Sequence, residues 1–427
     1  MTILLLLLGL FVLIAIDVPI GVALGVVALA AILGSDGFSE LPNAALVLYD
    51  GATGFALITI PLFILAGAIM NASGISRRLI ALTSSLIGFV RGGLAMVTIG
   101  ASMFFAEVSG SAVAGVAALG SILIPAMIRK GYPAPFAAAV TSSASTLAVI
   151  IPPAIPMILY AVMAGSSVVE LFVAGIIPGI IGGLLLMATA YVMSVRRGYP
   201  AEEAFQLRRV WKALKEAGWA LLLPAIILGG IFSGWCTATE GAGLAVLAAV
   251  FIGVFIYREL NLKSLREAMI EGGSQTAVVM ILVATSALLG EYLTSVQAPQ
   301  HVAQALTDLT DRRWVILALL NAFFLFIGFF MHSAAAIILV VPIVMPLVNA
   351  VGIDPVHFGL IVTLNLGIGQ QTPPVASVLV TACSVAKADI WEVSKVNIYF
   401  IAVLFFVLML VTYIPAIPLF LVEVFYR

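Results

Sequence analysis

Apolar runs long enough to cross a bilayer leave this chain very few folds. The clearest are Gly54–Ala72, Val168–Val195, Trp219–Trp235, Gly241–Tyr257, Ala268–Leu293 and Val396–Val422. A straight helix needs about 20 such residues to span the hydrocarbon core. The balance of the chain agrees: of 427 residues, 63% are hydrophobic and 9% charged. A soluble domain carries about a quarter charged residues. Too few charges are present to cover this much apolar surface in water, which excludes disorder, a nucleic-acid binder, a coiled coil and an ordinary soluble enzyme. The expected fold class is an all-α polytopic membrane protein. With 19 basic and 20 acidic residues, a net charge of -1 implies no polyanion partner and no nucleic acid. Cys236 and Cys383 lie in apolar runs and read as small core residues. The start lacks a basic leader segment and reads as a retained membrane helix. Residues 2–34 form one apolar block interrupted at Asp17-Val18-Pro19, so two short antiparallel helices are expected, with one kinked helix as the alternative.

Four blocks do not read as simple spans. Residues 92–128 are broken at Glu107-Val108-Ser109-Gly110-Ser111, and 314–350 at His332-Ser333. Residues 134–163 are broken at Pro152-Pro153, and 356–387 at Gln370-Gln371-Thr372-Pro373-Pro374. Proline and glycine free backbone groups that lipid cannot satisfy, so such breaks survive only inside protein or beside a wet cavity. The first two blocks predict re-entrant helical hairpins and the second two predict broken helices.

The breaks recur. Pro152-Pro153 and Pro373-Pro374 are separated by the same interval as Pro125 and Pro346, and as Gly131 and Gly352. Asp17 and Glu240, and Gly67 and Gly290, share a slightly longer one. Two repeats are therefore expected, 1–215 with hairpin 92–128 and broken helix 134–163, and 216–427 with hairpin 314–350 and broken helix 356–387. Arginines and lysines orient them. The Arg196–Lys215 and Arg258–Arg266 clusters belong in the cytoplasm, and the spans between place Arg91, Arg129 and Lys130 there too. Hairpin one then enters from the cytoplasm and hairpin two from the opposite side, so the repeats are inverted. Amphipathic connectors are expected near Gly74–Arg91 and Gln297–Arg313, and the remaining long helices are expected to form a scaffold.

Inverted repeats with broken helices are the pattern of a secondary transporter. Half-helix N-termini favour anionic groups, and half-helix carbonyls favour cations, without a buried formal charge. Ser109-Gly110-Ser111 offers hydroxyls and close backbone approach at the first tip, and reads either as a ligand-binding turn or as a helix cap. His332-Ser333 is its counterpart. Ser142-Ser143-Ala144-Ser145-Thr146 and Asn365 to Thr372 place polar and glycine residues beside the two proline pairs, where small polar residues also serve helix packing. Gln370-Gln371 has no counterpart in the first half and reads as an asymmetric substrate contact. The candidate substrate residues are thus Ser142, His332, Ser333, Asn365, Gln370 and Gln371. Glu107 is the best placed acid for a proton relay, whereas Asp17 and Glu240 fit capping. No nucleotide-binding or metal motif appears, so an ion gradient or another subunit must supply energy.

The motifs Ser109-Gly110-Ser111-Ala112, Ile124-Pro125-Ala126-Met127, Ile151-Pro152-Pro153-Ala154-Ile155-Pro156, Thr239-Glu240, Val341-Pro342-Ile343-Val344-Met345-Pro346 and Gly369-Gln370-Gln371-Thr372-Pro373-Pro374 together resemble the large, DctM-type membrane subunit of tripartite ATP-independent periplasmic (TRAP) transporters. The likeness covers essentially the whole chain. It implies an inverted-repeat elevator in the bacterial inner membrane, working with a small four-helix DctQ-type membrane subunit and a DctP-type periplasmic binding protein. It implies Na⁺-driven uptake of organic anions such as C4-dicarboxylates, sialic acid or other sugar acids, with at least two Na⁺ and no organic cofactor. Carried over by position, the resemblance puts sodium at Ser109, Gly110, Ser111, Ser145 and Thr146 in the first half, and at Gly328, Gly367, Gly369 and Thr372 in the second. Many members have Asp where this chain has His332. The alternatives are a stand-alone dicarboxylate or citrate carrier of the same architecture, distinguished by lacking partners, and a membrane enzyme built on Glu107, His332 and Ser109.

Overall fold

A computed structural model of the chain describes residues 6–427 except 7, 11, 14, 15, 17, 36, 202–204, 302, 303, 305–309, 311 and 374; of 107–109 it describes the backbone only. Among the described residues the elements are helices, nine of them long and apolar enough to cross a membrane. The first half holds α1 (Ile20–Ser35), α2 (Leu41–Thr53), α3 (Thr59–Ala72), α4 (Ile75–Ile87), α5 (Gly93–Ser109), α6 (Ala112–Arg129), α7 (Ala134–Thr146), α8 (Ile155–Ala164) and α9 (Val168–Arg197). The second holds α10 (Leu207–Phe232), α11 (Ala238–Ile256), α12 (Leu262–Ser295), α13 (Arg313–Phe330), α14 (Ser333–Ala350), α15 (Pro355–Gly369), α16 (Ser377–Ala386), α17 (Ile390–Tyr413) and α18 (Ala416–Tyr426).

Each of the four interrupted blocks is a helix–break–helix unit. The breaks fall at Gly110-Ser111, at 147–154, at Met331-His332 and at 370–376. Pro374 and Asp17, and most of the expected connector Gln297–Arg313, lie outside the described residues. The connector over 74–91 is helix α4, which buries Ile75, Leu79 and Leu82 on one face. One expectation of the apolar pattern is corrected. Val396–Val422 is two helices, because the chain breaks at Ile414-Pro415, where proline cannot donate to the continuing ladder. A short helix, α2, occupies 41–53 without being long enough to span; it packs on α12 and buries only Ala44.

The helix starts follow capping chemistry. Thr237 and Glu240 form a reciprocal capping box at α11, with Glu240 N–H donating to Thr237 Oγ1 at 3.2 Å and Thr237 N–H to Glu240 Oε2 at 2.8 Å. This matches the capping role read from Glu240. Asp354 caps α15 through the N–H groups of Val356 and His357 at 2.8 and 3.0 Å. Burial pushes the Asp354 carboxyl up, but Arg427, which also pairs with Glu170, and these backbone donors outweigh it and hold it below its ordinary range.

Packing divides the helices into two sets. Helices α1, α2, α3, α10, α11 and α12 form a frame, in which α1 lies on α12, α11 on α3, and α10 on α11. The four interrupted units form a core, with α5 on α7, α7 on α16, α8 on α14 and α13 on α15. The long helices α9 and α17 join this core: α17 packs on α7 and α15, and α9 on α5, α15 and α17. Their expected place in the scaffold is therefore corrected. The reason is visible in α9, which buries Gly175, Gly179, Gly182 and Gly183 along one stripe and lets broken helices approach its backbone. At Gly175 a side chain would strike the Ile150 carbonyl at 2.1 Å. Frame and core meet where α4 bridges α10 and α5, where α3 touches α5, and where α12 touches α14.

Ion pairs and hydrogen bonds mark the two ends of the long helix α9. One end gathers Arg77 and Arg78 on Glu259, Gly92 N–H on the Pro200 carbonyl at 3.2 Å, and Tyr132 on the same carbonyl at 3.1 Å. The opposite end gathers Glu170, Asp354 and Arg427.

Candidate functional site

The first tip forms because Gly110 adopts the left-handed φ of +58° that caps α5. Ser111 then accepts the Ala114 N–H at 3.5 Å and starts α6. The tip is pinned to the first break, since Ile155 N–H donates to the Gly110 carbonyl at 3.2 Å. A Cβ at Gly110 would sit 2.8 Å from the Pro153 carbonyl oxygen. The second tip has no glycine. There His332 caps α14, its Nδ1 accepting the Ala334 N–H at 3.4 Å. This bond leaves the neutral ring's proton on Nε2. The second tip is also tied to its break, through Val375 N–H and the Phe329 carbonyl at 3.3 Å.

Glycines set the spacing between these units. A Cβ at Gly369 of α15 would meet the Gly328 backbone of α13 at 2.5 Å, and one at Gly367 would meet Val149 at 2.7 Å. Gly328, Gly367 and Gly369 therefore let backbones approach where no side chain fits.

Behind the tips a buried polar cluster ties the two breaks together. Gln371 Nε2 donates to Thr146 Oγ1 at 2.7 Å, and Asn397 Nδ2 to Gln371 Oε1 at 3.2 Å. Ser143 Oγ lies 2.7 Å from Gln371 Oε1 and 2.8 Å from Asn397 Oδ1, and its one proton serves one of them at a time. Asn365 Nδ2 donates to Asn321 Oδ1 at 2.6 Å, and Asn321 Nδ2 to Thr412 Oγ1 at 3.1 Å. Thr372 Oγ1 donates to the Ile368 carbonyl at 3.1 Å. Among the buried polar atoms without a protein partner are Ser142 Oγ, Ser145 Oγ, Asn365 Oδ1 and Gln370 Nε2.

Replacing Gln371 by leucine keeps the side chain's bulk and removes both bonding groups. Thr146, Ser143 and Asn397 then lose their shared partner, keeping only the Ser142 carbonyl, Asn397 Oδ1 and Gln371 carbonyl bonds, and each lost bond costs about 0.5–1.5 kcal/mol. Gln371→Leu should lower the melting temperature in detergent by several degrees, while Gln275→Leu, outside this cluster, leaves it nearly unchanged. Equal melting of the two variants would contradict the cluster's role.

A cavity of about 640 Å³ lies between the tips and the frame. Gly110 and Ser111 reach it from tip one, His332 and Ser333 from tip two, and Gln370 from the second break. The structure thus brings together five of the sequence-predicted site residues. Ser142, Ser145, Thr146, Asn365, Gln371, Gly328, Gly367, Gly369 and Thr372 stand in the breaks and their supports rather than on its wall. The side chains of Ser109 and Glu107 lie outside the described residues. The frame contributes a wall the sequence reading missed: Asn71 of α3, and Glu271, Ser274 and Gln275 of α12. The i, i+4 spacing of Glu271 and Gln275 on one helix face was the available signal. Asn397 was missed because it is one polar residue in a long apolar run.

No lysine or arginine is among the cavity's described lining residues. Its donors are the His332 ring and the N-terminus of α14, where backbone N–H groups carry partial positive charge, while the Gln370 amide nitrogen is buried away from it and the Glu271 carboxylate lies on the frame side. The tip-two face suits an anionic group held by hydrogen bonds.

Comparison with known proteins gives three kinds of match. Residues 7–417 match the family described as "Tripartite ATP-independent periplasmic transporter, DctM component". The isethionate TRAP transporter permease protein DctMQ of Oleidesulfovibrio alaskensis is 42% identical over 95% of this chain, which spans 64% of that relative's length. The C4-dicarboxylate TRAP transporter large permease protein DctM of Pseudomonas aeruginosa is 39% identical over 88% of both chains. The sialic acid TRAP transporter large permease protein SiaM of Vibrio cholerae is 37% identical over 95% of both. Among solved structures, the Alcanivorax borkumensis YdaH transporter aligns with a TM-score of 0.64 at 16% identity over 89% of both chains, a likeness of fold.

Proposed function

The chain belongs to the DctM family of TRAP transporters, as a large permease, and from that premise we propose that it takes up an organic acid anion through the cavity between its two tips. The carrying observation is the cavity itself: both tips and the second break converge on it, and tip two offers the His332 ring and the α14 N-terminus as donors in a wall with no described lysine or arginine. The relatives are permeases for isethionate, C4-dicarboxylates and sialic acid, and the substrate here is an acid of that kind.

In this reading the core moves against the frame as an elevator. The two repeats at 1–215 and 216–427 supply equivalent parts: α1 lies on α12 as α11 lies on α3, which is the exchange an inverted repeat produces. The cavity's lining includes Asn71, close in sequence to Arg77 of the Arg77–Glu259 pair, and in this reading that end, with basic residues inside, faces the cytoplasm. Na⁺ is the driving cargo. The hydroxyls of Ser145 and Ser142 and the Asn365 carbonyl oxygen, buried without partners, have the oxygen chemistry a hard cation takes. A small membrane subunit and a periplasmic binding protein complete the system in the bacterial inner membrane.

His332 tests the cavity. His332→Ala removes both the α14 cap and the Nε2–H donor, whereas His332→Asn keeps a good cap. Losing one hydrogen bond to a charged acceptor costs about 1.5–3 kcal/mol, so the apparent KM of uptake should rise about tenfold or more in His332→Ala. His332→Asn should recover melting temperature more than KM. Unchanged KM in both variants would remove His332 from the substrate's path and count against this cavity.

A further inference from the structure

On the far side of the core, α9 and α17 leave a second hollow between them, a groove of about 570 Å³. Leu185, Ala188 and Val192 of α9 line it with Tyr399, Ala402 and Phe406 of α17, and Arg196 and Arg197 stand at its end. No carboxylate lines the groove. Neither arginine is ion-paired with a carboxylate among the described residues, and Arg197 only donates to the Tyr199 hydroxyl at 3.4 Å.

We propose that this groove binds one anionic phospholipid of the cytoplasmic leaflet, its acyl chain between α9 and α17 and its headgroup on Arg196 and Arg197. Length, side and charge each support that occupant. From Leu185 to Arg196 the helix rises about 16 Å at 1.5 Å per residue. That is about half of a 30 Å hydrocarbon core, or one leaflet. The two arginines follow directly from a span whose end joins the basic face, since Pro200, three residues on, accepts the Gly92 N–H. Basic pockets between membrane helices on the cytoplasmic side recognise anionic headgroups. A guanidinium pair grips phosphate oxygens through charge-assisted bonds that a bare apolar groove lacks. Nothing in this assignment depends on what the permease carries.

The test is native mass spectrometry of the permease complex, extracted from membranes containing phosphatidylethanolamine, phosphatidylglycerol and cardiolipin. The wild type should retain an anionic phospholipid in preference to phosphatidylethanolamine. Two variants attack the site independently: Arg196→Gln with Arg197→Gln removes the headgroup charges, and Ala402→Trp fills the groove with both arginines intact. Each should lower retention about tenfold. Should one variant fail to insert, the other still decides. Wild-type retention in both, or a preference for phosphatidylethanolamine, would overturn the proposal. So would cross-linking of an Ala402→Cys variant to a partner subunit, which would show a protein helix in the groove.

Discussion

Gly369→Ala should reduce uptake about a hundredfold while leaving the protein inserted in the membrane. The added Cβ would lie 2.5 Å from both Cα and the carbonyl carbon of Gly328, and 2.8 Å from its carbonyl oxygen. These are backbone atoms of a packed helix, with no flexible side-chain end to swing aside. Ordinary carbon contacts begin near 3.5 Å, so α13 and α15 must part by about 1 Å. Overpacking of this kind costs about 1–3 kcal/mol. The displacement matters more than the cost, because Gln370 and Gln371 follow Gly369 directly. Gln370 faces the cavity, and Gln371 ties the second break to Thr146 and Ser143. A shift of about 1 Å in a positioned site can cost a hundredfold in rate. Gly290→Ala is the control, since a Cβ there meets nothing within 4 Å. Uptake in vesicles, normalised to inserted protein, separates the two. Wild-type uptake by Gly369→Ala would mean that the α13–α15 contact does not set the site.

Much of this architecture was legible in the residues, for a physical reason. Lipid punishes every unsatisfied backbone group, so a Pro152-Pro153 or a Gln370-to-Pro373 interval inside an apolar run announces a break before any contact is known. Glu240 was equally readable, because a capping box is local: Thr237 three residues before it fixes the geometry. What the pattern does not carry is partnership across the chain. Gln371 is marked by its polarity, yet its bond to Thr146 joins residues 225 positions apart. Gln371 and Asn365 therefore read as candidate substrate contacts, while their amides are engaged with Thr146, Asn397 and Asn321. The glycines show the same limit. Gly110 was singled out from its turn, whereas the backbone contact of Gly328 with Gly369 needs two helices to be placed. Allocation of α9 and α17 to the core was also beyond the pattern, since a long apolar helix looks alike in frame and core until its neighbours are known.

The central claim is coupled uptake by a tripartite permease, and reconstitution tests it most directly. Proteoliposomes would hold this chain with its small membrane subunit. The binding protein would be supplied outside, loaded with radiolabelled C4-dicarboxylate, sialic acid or isethionate in separate arms. Uptake of one of these acids is expected only with an inward Na⁺ gradient, and for the monoanions sialic acid and isethionate an inside-negative potential should raise it, because two or more Na⁺ outweigh a single negative charge. Replacing Na⁺ by K⁺, or omitting either partner, should bring uptake to background. Undiminished uptake in K⁺ would contradict Na⁺ coupling, and robust uptake of free substrate by this chain alone would contradict the tripartite permease.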